Sequence, residues 1–253
     1  MQNVTGNGKT TTTIMKIPTI KGVIDRRVLV NYTVDPDIIE KIIPQPFRAK
    51  IYKGKAIVGI CLIRLKHIRP KGLPNFIGIS SENGAHRIAV EWTENGEIKE
   101  GVYIPRRDTS SYLNSFGGGR IFPGRYYHAK FDVKEDNGHY RIAFKSSDGT
   151  TISVEGDKTD TLNSNSIFQN LDTASKFFEG GAVGYSPNGD NYEGLKLKTF
   201  NWNVEPLNMT EVHSSFFEDE SIFPKGSVQF DNALLMTQIK HEWHLIGQKS
   251  HCL

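Results

Sequence analysis

Residues 56–74, AIVGICLIRLKHIRPKGLP, run as one apolar strand into a basic turn punctuated by proline and glycine. Aliphatic and β-branched side chains fill residues 56–65, the composition of a buried strand, and Pro70, Gly72 and Pro74 end it. Upstream, residues 48–52 read as a second strand that turns at Lys53-Gly54 into this one, a hairpin. Before that, RRVLVNYTV reads as a first strand ending at Val34. Asp35 is a good N-cap and Pro36 fits the first helical position, which predicts a short helix over 36–43, stopped by Pro44.

Hairpins continue downstream. Residues 86–92 and 99–104 flank Thr93-Glu94-Asn95-Gly96, and residues 125–133 and 140–144 flank Glu135-Asp136-Asn137-Gly138. A further strand is predicted over 150–155, then others over 194–204, 208–216, 227–236 and 241–246. Between them, residues 167–178 have helical spacing at Ile167, Leu171, Ala174 and Phe178, with Ser166 as cap and Gly180-Gly181 as stop. The expected fold is mainly β: an antiparallel sheet closed into a barrel to protect its edges, with one or two peripheral helices. Neither a repeat nor a linker interrupts it, so one domain is expected over 16–253, after a polar, Thr-rich and flexible segment at 1–15.

The 31 Lys and Arg exceed the 28 Asp and Glu by three, too small a surplus for a nucleic-acid partner. The local basic run Arg64, Lys66, His67, Arg69 and Lys71 lacks aromatic stacking platforms and reads as a solvated, edge-protecting face. Two cysteines, Cys61 in an apolar strand and Cys252 near the end, favour a reducing compartment. No signal-peptide core and no apolar run of membrane-spanning length occurs, so a soluble cytoplasmic protein is expected, with no membrane partner. The oligomeric state is left open, a homo-oligomer included.

Several pieces in order carry a resemblance: Val34-Asp35-Pro36, Ile43-Pro44, the 54–59 hairpin, Arg69-Pro70 with Gly72-Leu73-Pro74, Gly101-Val102-Tyr103, and His213-Ser214-Ser215-Phe216-Phe217. Singly they are weak, but together, from about residue 27 to 243, the chain resembles DUF2071, an uncharacterised family grouped with the acetoacetate decarboxylase-like fold. The resemblance implies a cone-like β barrel with an interior or mouth cavity. True decarboxylases of that group use an adjacent lysine pair, one of which forms a Schiff base with a β-keto acid. On that pattern the pair would follow Phe122-Pro123, where this chain has Gly124 and Arg125. An arginine stays charged and cannot be the amine nucleophile, and Lys130 stays open as a displaced amine.

The resulting expectation is a cavity for a small organic acid or keto compound, with neither metal nor cofactor. Arg125 would anchor the anion and stabilise developing oxyanion charge. Arg107 is a reserve anchor on the Arg106-Arg107-Asp108 strand end, where Asp108 orients a guanidinium or simply pairs with it. Arg120, in the glycine-rich loop at Gly117-Gly118-Gly119, and His213 are further substrate-binding candidates. Glu91 is a candidate proton carrier: alternation sets Arg87, Ala89 and Glu91 against the Ile88, Val90 and Trp92 face, and that first set is either solvated or turned to a cavity. His241 and His244 stand three apart in a strand and therefore face opposite sides, unlike a zinc pair on a helix. Two other readings remain open: a non-catalytic binding or sensing module, and a structural protein whose interior is filled by aromatic side chains.

Overall fold

A computed structural model describes residues 19–112 and 124–250. The 1–15 segment, Arg120, the Gly117–Gly119 run and Phe122-Pro123 lie outside the described residues. Strand β1 (Ile20–Val34) enters α1 (Pro36–Ile39), where the Asp35 carboxylate accepts from the Asp37 N–H at 3.0 Å. The helix is a single turn; irregular turns occupy the rest of the expected 36–43 span. Strands β2 (Arg48–Ala49), β3 (Ile51–Tyr52) and β4 (Lys55–Pro70) follow. The predicted Lys53-Gly54 turn joins β3 to β4, but β2 pairs with the next long strand instead.

That strand, β5 (Ile79–Glu94), forms a hairpin with β6 (Glu97–Thr109) across Asn95-Gly96. Strands β7 (Tyr126–Asp136) and β8 (His139–Ser146) form another across Asn137-Gly138. Both dipeptides take positive φ at both residues, the geometry a two-residue hairpin turn demands. Next come β9 (Thr151–Lys158), α2 (Leu171–Glu179), β10 (Val183–Asn188), β11 (Asn191–Thr199), β12 (Glu205–Ser214) and β13 (Gln229–Ser250). Helix α2 starts later than predicted, because Asn170 rather than Ser166 caps it, its side chain accepting from the Thr173 N–H at 2.9 Å. The Ser166 hydroxyl donates to Asp231 at 2.7 Å.

The mainly-β expectation is met, but the expected antiparallel β barrel is not what forms. Nine strands close a ring in the order β6-β7-β8-β9-β12-β13-β1-β4-β5. Yet β6 offers one edge to two neighbours in succession, β10 at residues 102–103 and β7 at residues 107–109, and both pairings are parallel. Strand β13 likewise pairs with β12 at residues 233–235 and with β11 at residues 241–250. The sheet forks at these two strands, and the β10-β11 hairpin bridges the forks. A barrel has one inside and one outside. Here the slab shared by both circuits is buried on both faces: Val30, Ile60 and Ile88 point to one core, Leu29, Cys61 and Ala89 to another. The helices are minor, with α2 laying Ala174 and Phe178 on the second core.

Strand β1 shows the two faces at adjacent residues. Arg26 is buried on the first, where it holds Glu82 and Glu135, and Arg64 joins the same carboxylates. Lys66 meets Asp25 at 2.9 Å, so much of the basic run is paired with acids. Among the described residues no helix is long and apolar enough to cross a membrane.

Candidate functional site

The register of the shared slab places one row of side chains on the second face: Leu29, Cys61, Ala85 and Arg107 stand side by side on β1, β4, β5 and β6. Arg27 lies two residues to one side of that row on β1, and Arg87 two residues to the other on β5. Same-face residues alternate along a strand, so these arginines converge over small Ala85 and Cys61. The space they enclose is a cavity of about 120 Å³. Its apolar wall comes from Ile63, Leu65, Val102, Ile104, Leu195 and Leu197, and Tyr126 and Trp243 complete it.

Each guanidinium has a neutral hydrogen-bond partner. Arg27 Nε donates to Cys61 Sγ at 3.2 Å, Arg107 Nε donates to Ser186 Oγ at 3.1 Å, and Arg87 donates to Asn31 Oδ1. Among the described residues none of the three forms an ion pair with a carboxylate. Arg26 and Arg106 show the contrast. Each is buried, as Arg87 is, and each holds two carboxylates, Arg106 gripping Asp108 at 2.7 and 3.0 Å and Asp148 at 2.6 and 2.9 Å.

Arg87 is the most confined of the three, only 5% exposed, with its Nε lacking a hydrogen-bond partner among the described residues. Burial, with a smaller contribution from the nearby Arg27 charge, pushes its pKa down to about 10. Its guanidinium lies 5.0 Å from the Phe178 ring of α2. Asn31 is held in turn by Asn232, and Asn232 by Asp231, whose carboxylate also takes Ser166 and the Ile167 N–H. Gly59 makes room for this contact. A Cβ there would stand 2.4 Å from the Val30 carbonyl oxygen and 3.4 Å from the Arg87 guanidinium.

On the opposite wall, the Arg107 guanidinium sits 5.8 Å from the Tyr126 ring, and burial raises the pKa of that phenol. A neutral phenol is a hydrogen-bond donor. The site can therefore grip an anion by planar forks and present one phenolic O–H to it. No lysine and no carboxylate lines the cavity among the described residues.

Of the residues predicted from sequence, Arg107 is the one that lines this cavity. Glu91 is half-buried on β5 and accepts from Arg48 Nε at 2.8 Å. Arg125 is exposed just before β7, its guanidinium 5.1 Å from the Tyr127 ring, and Lys130 is exposed on β7. His213 is half-buried between Thr151 Oγ1 at 3.2 Å and Glu218 at 3.0 Å. Arg106 and Asp108 form the strand-end pair. Gly124 abuts Ser186, where a Cβ would come within 2.6 Å of the serine Cβ. Arg27 and Arg87 escaped sequence reasoning. Their signal was charge on a strand face otherwise made of small residues, Cys61, Ala85 and Ala89.

A model of the family DUF2071, uncharacterized conserved proteins, matches residues 24–235. No curated protein matches the chain. Among solved structures, the acetoacetate decarboxylase of Legionella pneumophila subsp. pneumophila str. Philadelphia 1 superposes with a TM-score of 0.58 at 13% identity, over 90% of this chain and 87% of that one. An acetoacetate decarboxylase-like enzyme from Sphingomonas wittichii RW1 gives 0.58 at 9% identity, over 93% of each chain. The enduracididine biosynthesis enzyme MppR complexed with pyruvate gives 0.55 at 10% identity, over 96% of this chain and 93% of that one. At such identities the likeness is one of fold.

Proposed function

The chain belongs to the DUF2071 family and shares the acetoacetate decarboxylase-like fold, and from that premise we propose that its cavity takes a small organic or keto acid and acts on it without a Schiff-base lysine. One observation carries the reading: three guanidiniums without a carboxylate partner among the described residues converge on an apolar cavity. A buried cation without a counter-ion is costly, and a ligand carboxylate removes that cost while filling the fork geometry. The volume suits a short-chain acid, since it holds roughly four waters at ~30 Å³ each. Arg87 and Arg107 would fix the acid, and the fixed charges would stabilise an enolate-like oxygen as it develops. Tyr126 would donate its phenolic hydrogen bond to that oxygen. The pyruvate in the MppR complex supports the ligand class by analogy of fold.

A second reading, a binding or sensing module, is favoured by the absence of a carboxylate or amine from the described lining. The two separate in one experiment. Pyruvate and acetoacetate are titrated calorimetrically, and exchange of their carbon-bound protons in deuterated solvent is followed by proton NMR. Binding that is lost in Arg87→Gln, with enzyme-dependent exchange, supports the enzyme. Binding without exchange, and without any change in the acid, supports the module. Absence of binding by every short-chain acid tried would sink both.

A further inference from the structure

We infer that the preferred ligand of this cavity is a short-chain dicarboxylate held at both ends, one carboxylate on Arg107 and the other on Arg27, with Arg87 beyond Arg107's row on the side away from Arg27. The inference rests on the small-acid reading above and adds the number and placement of the charges.

Charge balance is the first argument. Arg27, Arg87 and Arg107 bring three positive charges to one cavity, and their hydrogen-bond partners, Cys61, Asn31 and Ser186, are all neutral. A monocarboxylate would leave two of those charges uncompensated around a space walled by Ile63, Leu65, Val102, Ile104, Leu195 and Leu197. A dianion leaves one, so the excess positive charge in the cavity falls from three to one. Arg27 and Arg87 line the same cavity and repel each other, which favours a second negative charge on the Arg27 side.

Geometry is the second. Arg27 and Arg107 rise from β1 and β6, with β4 and β5 between them. Three strand spacings of about 4.8 Å across and two residues of about 3.4 Å along set their backbones roughly 16 Å apart. Arg27 Nε is held at Cys61 and Arg107 Nε at Ser186, so a single carboxylate would serve one guanidinium whereas a short diacid offers a group to each. Cys61 and Ala85, between them on the same face, keep the floor low and uncharged. Arg27 also faces a second, larger recess lined by Lys196 and Lys198 against the single carboxylate of Glu179, so that end of the cavity keeps a positive surplus.

The test is a calorimetric comparison at fixed ionic strength of chain-matched pairs: succinate against butyrate, and 2-oxoglutarate against 2-oxopentanoate. The expected result is at least tenfold tighter binding of each diacid. Arg27→Gln and Arg107→Gln, both at half-buried positions, should each bring the preference to within threefold. Equal or tighter binding of the monoacids overturns the inference and leaves the small-acid reading standing. A diacid preference that survives both substitutions overturns the two-ended placement. Failure of all four acids to bind overturns both the inference and the reading beneath it.

Discussion

Replace Arg87 and Arg106 in turn by methionine, an unbranched side chain that keeps much of the volume and removes the charge. Both arginines are buried, but their surroundings differ. Arg106 holds Asp108, which is 0% exposed, and Asp148. Its loss leaves Asp108 with only the Ser146 hydroxyl and a neutral His86, and breaking a buried pair from one side costs about 3–5 kcal/mol. Arg87 has no such partner. Its fall from 12.5 to about 10 corresponds to roughly 3 kcal/mol of unfavourable charge burial, which methionine relieves. Against this stand the hydrogen bond that Arg87 donates to Asn31, about 1–3 kcal/mol once the Asn31 oxygen is left unsatisfied, and the contact with Phe178, about 1 kcal/mol. The two sides nearly cancel. At about 3 °C per kcal/mol for a chain of this size, Arg106→Met should melt roughly 9–15 °C lower, and Arg87→Met within about 3 °C of the wild type. Calorimetric titration of a bound acid should show that Arg87→Met has lost at least tenfold in affinity. An Arg87 variant as unstable as the Arg106 variant would refute the reasoning, since it would make Arg87 a structural strut.

Other expectations concern acid, glycine and thiol. His86 and His241 are both buried and kept neutral, burial lowering their pKa values to about 3 and about 4. Asp108, 3.9 Å from His86, does not hold the imidazole protonated, because Arg106 and Ser146 already engage it. Below pH 6.5 the unfolded chain therefore takes up two protons that the folded one refuses, so stability falls as pH drops towards 4, by up to ~2.7 kcal/mol per pH unit. Urea midpoints across that range check the slope, and His86→Leu should remove about half of it. Gly59→Ala presses a methyl group onto the Val30 carbonyl and should cost about 3 kcal/mol or more in urea unfolding; a neutral result would mean that β1 and β4 can move apart freely. Alkylation of Cys61, tracked by peptide mass with Cys252 as the internal control, should slow at least fivefold when an acid fills the cavity. An unchanged rate would locate the acid elsewhere.

Local chemistry was legible in the chain. The Asn95-Gly96 and Asn137-Gly138 turns and the Asp35 cap each depend on neighbouring residues, and each stands where it was expected. What depends on distant pairing was not legible. Residues 227–236 and 241–246 read as two strands, yet β13 runs unbroken from Gln229 to Ser250. Its two neighbours on one edge arrive from elsewhere in the sequence, so nothing local announces the fork. The site suffered likewise. Alternation correctly set Arg87 apart from Ile88, but a single-core picture leaves the Arg87 face to solvent or a barrel lumen. Only a second core, supplied in part by α2 and β11, turns that face into a cavity wall. The Arg26-Arg27 pair makes the same point, since neighbouring arginines with opposite fates are indistinguishable until both faces are known.

The fork in the sheet bears on how the molecule comes apart. Strands β6 and β13 are each common to both circuits, and the slab between them is the floor of the cavity as well as a wall of the nine-strand ring. Neither circuit can lose its hydrogen bonds along that slab without opening the other. Amide exchange should therefore report a single slow class spanning β1, β4, β5 and β6, whichever face a residue turns to. An acid bound on one face would then retard exchange at residues that touch only the opposite core, such as Val30 and Ile60.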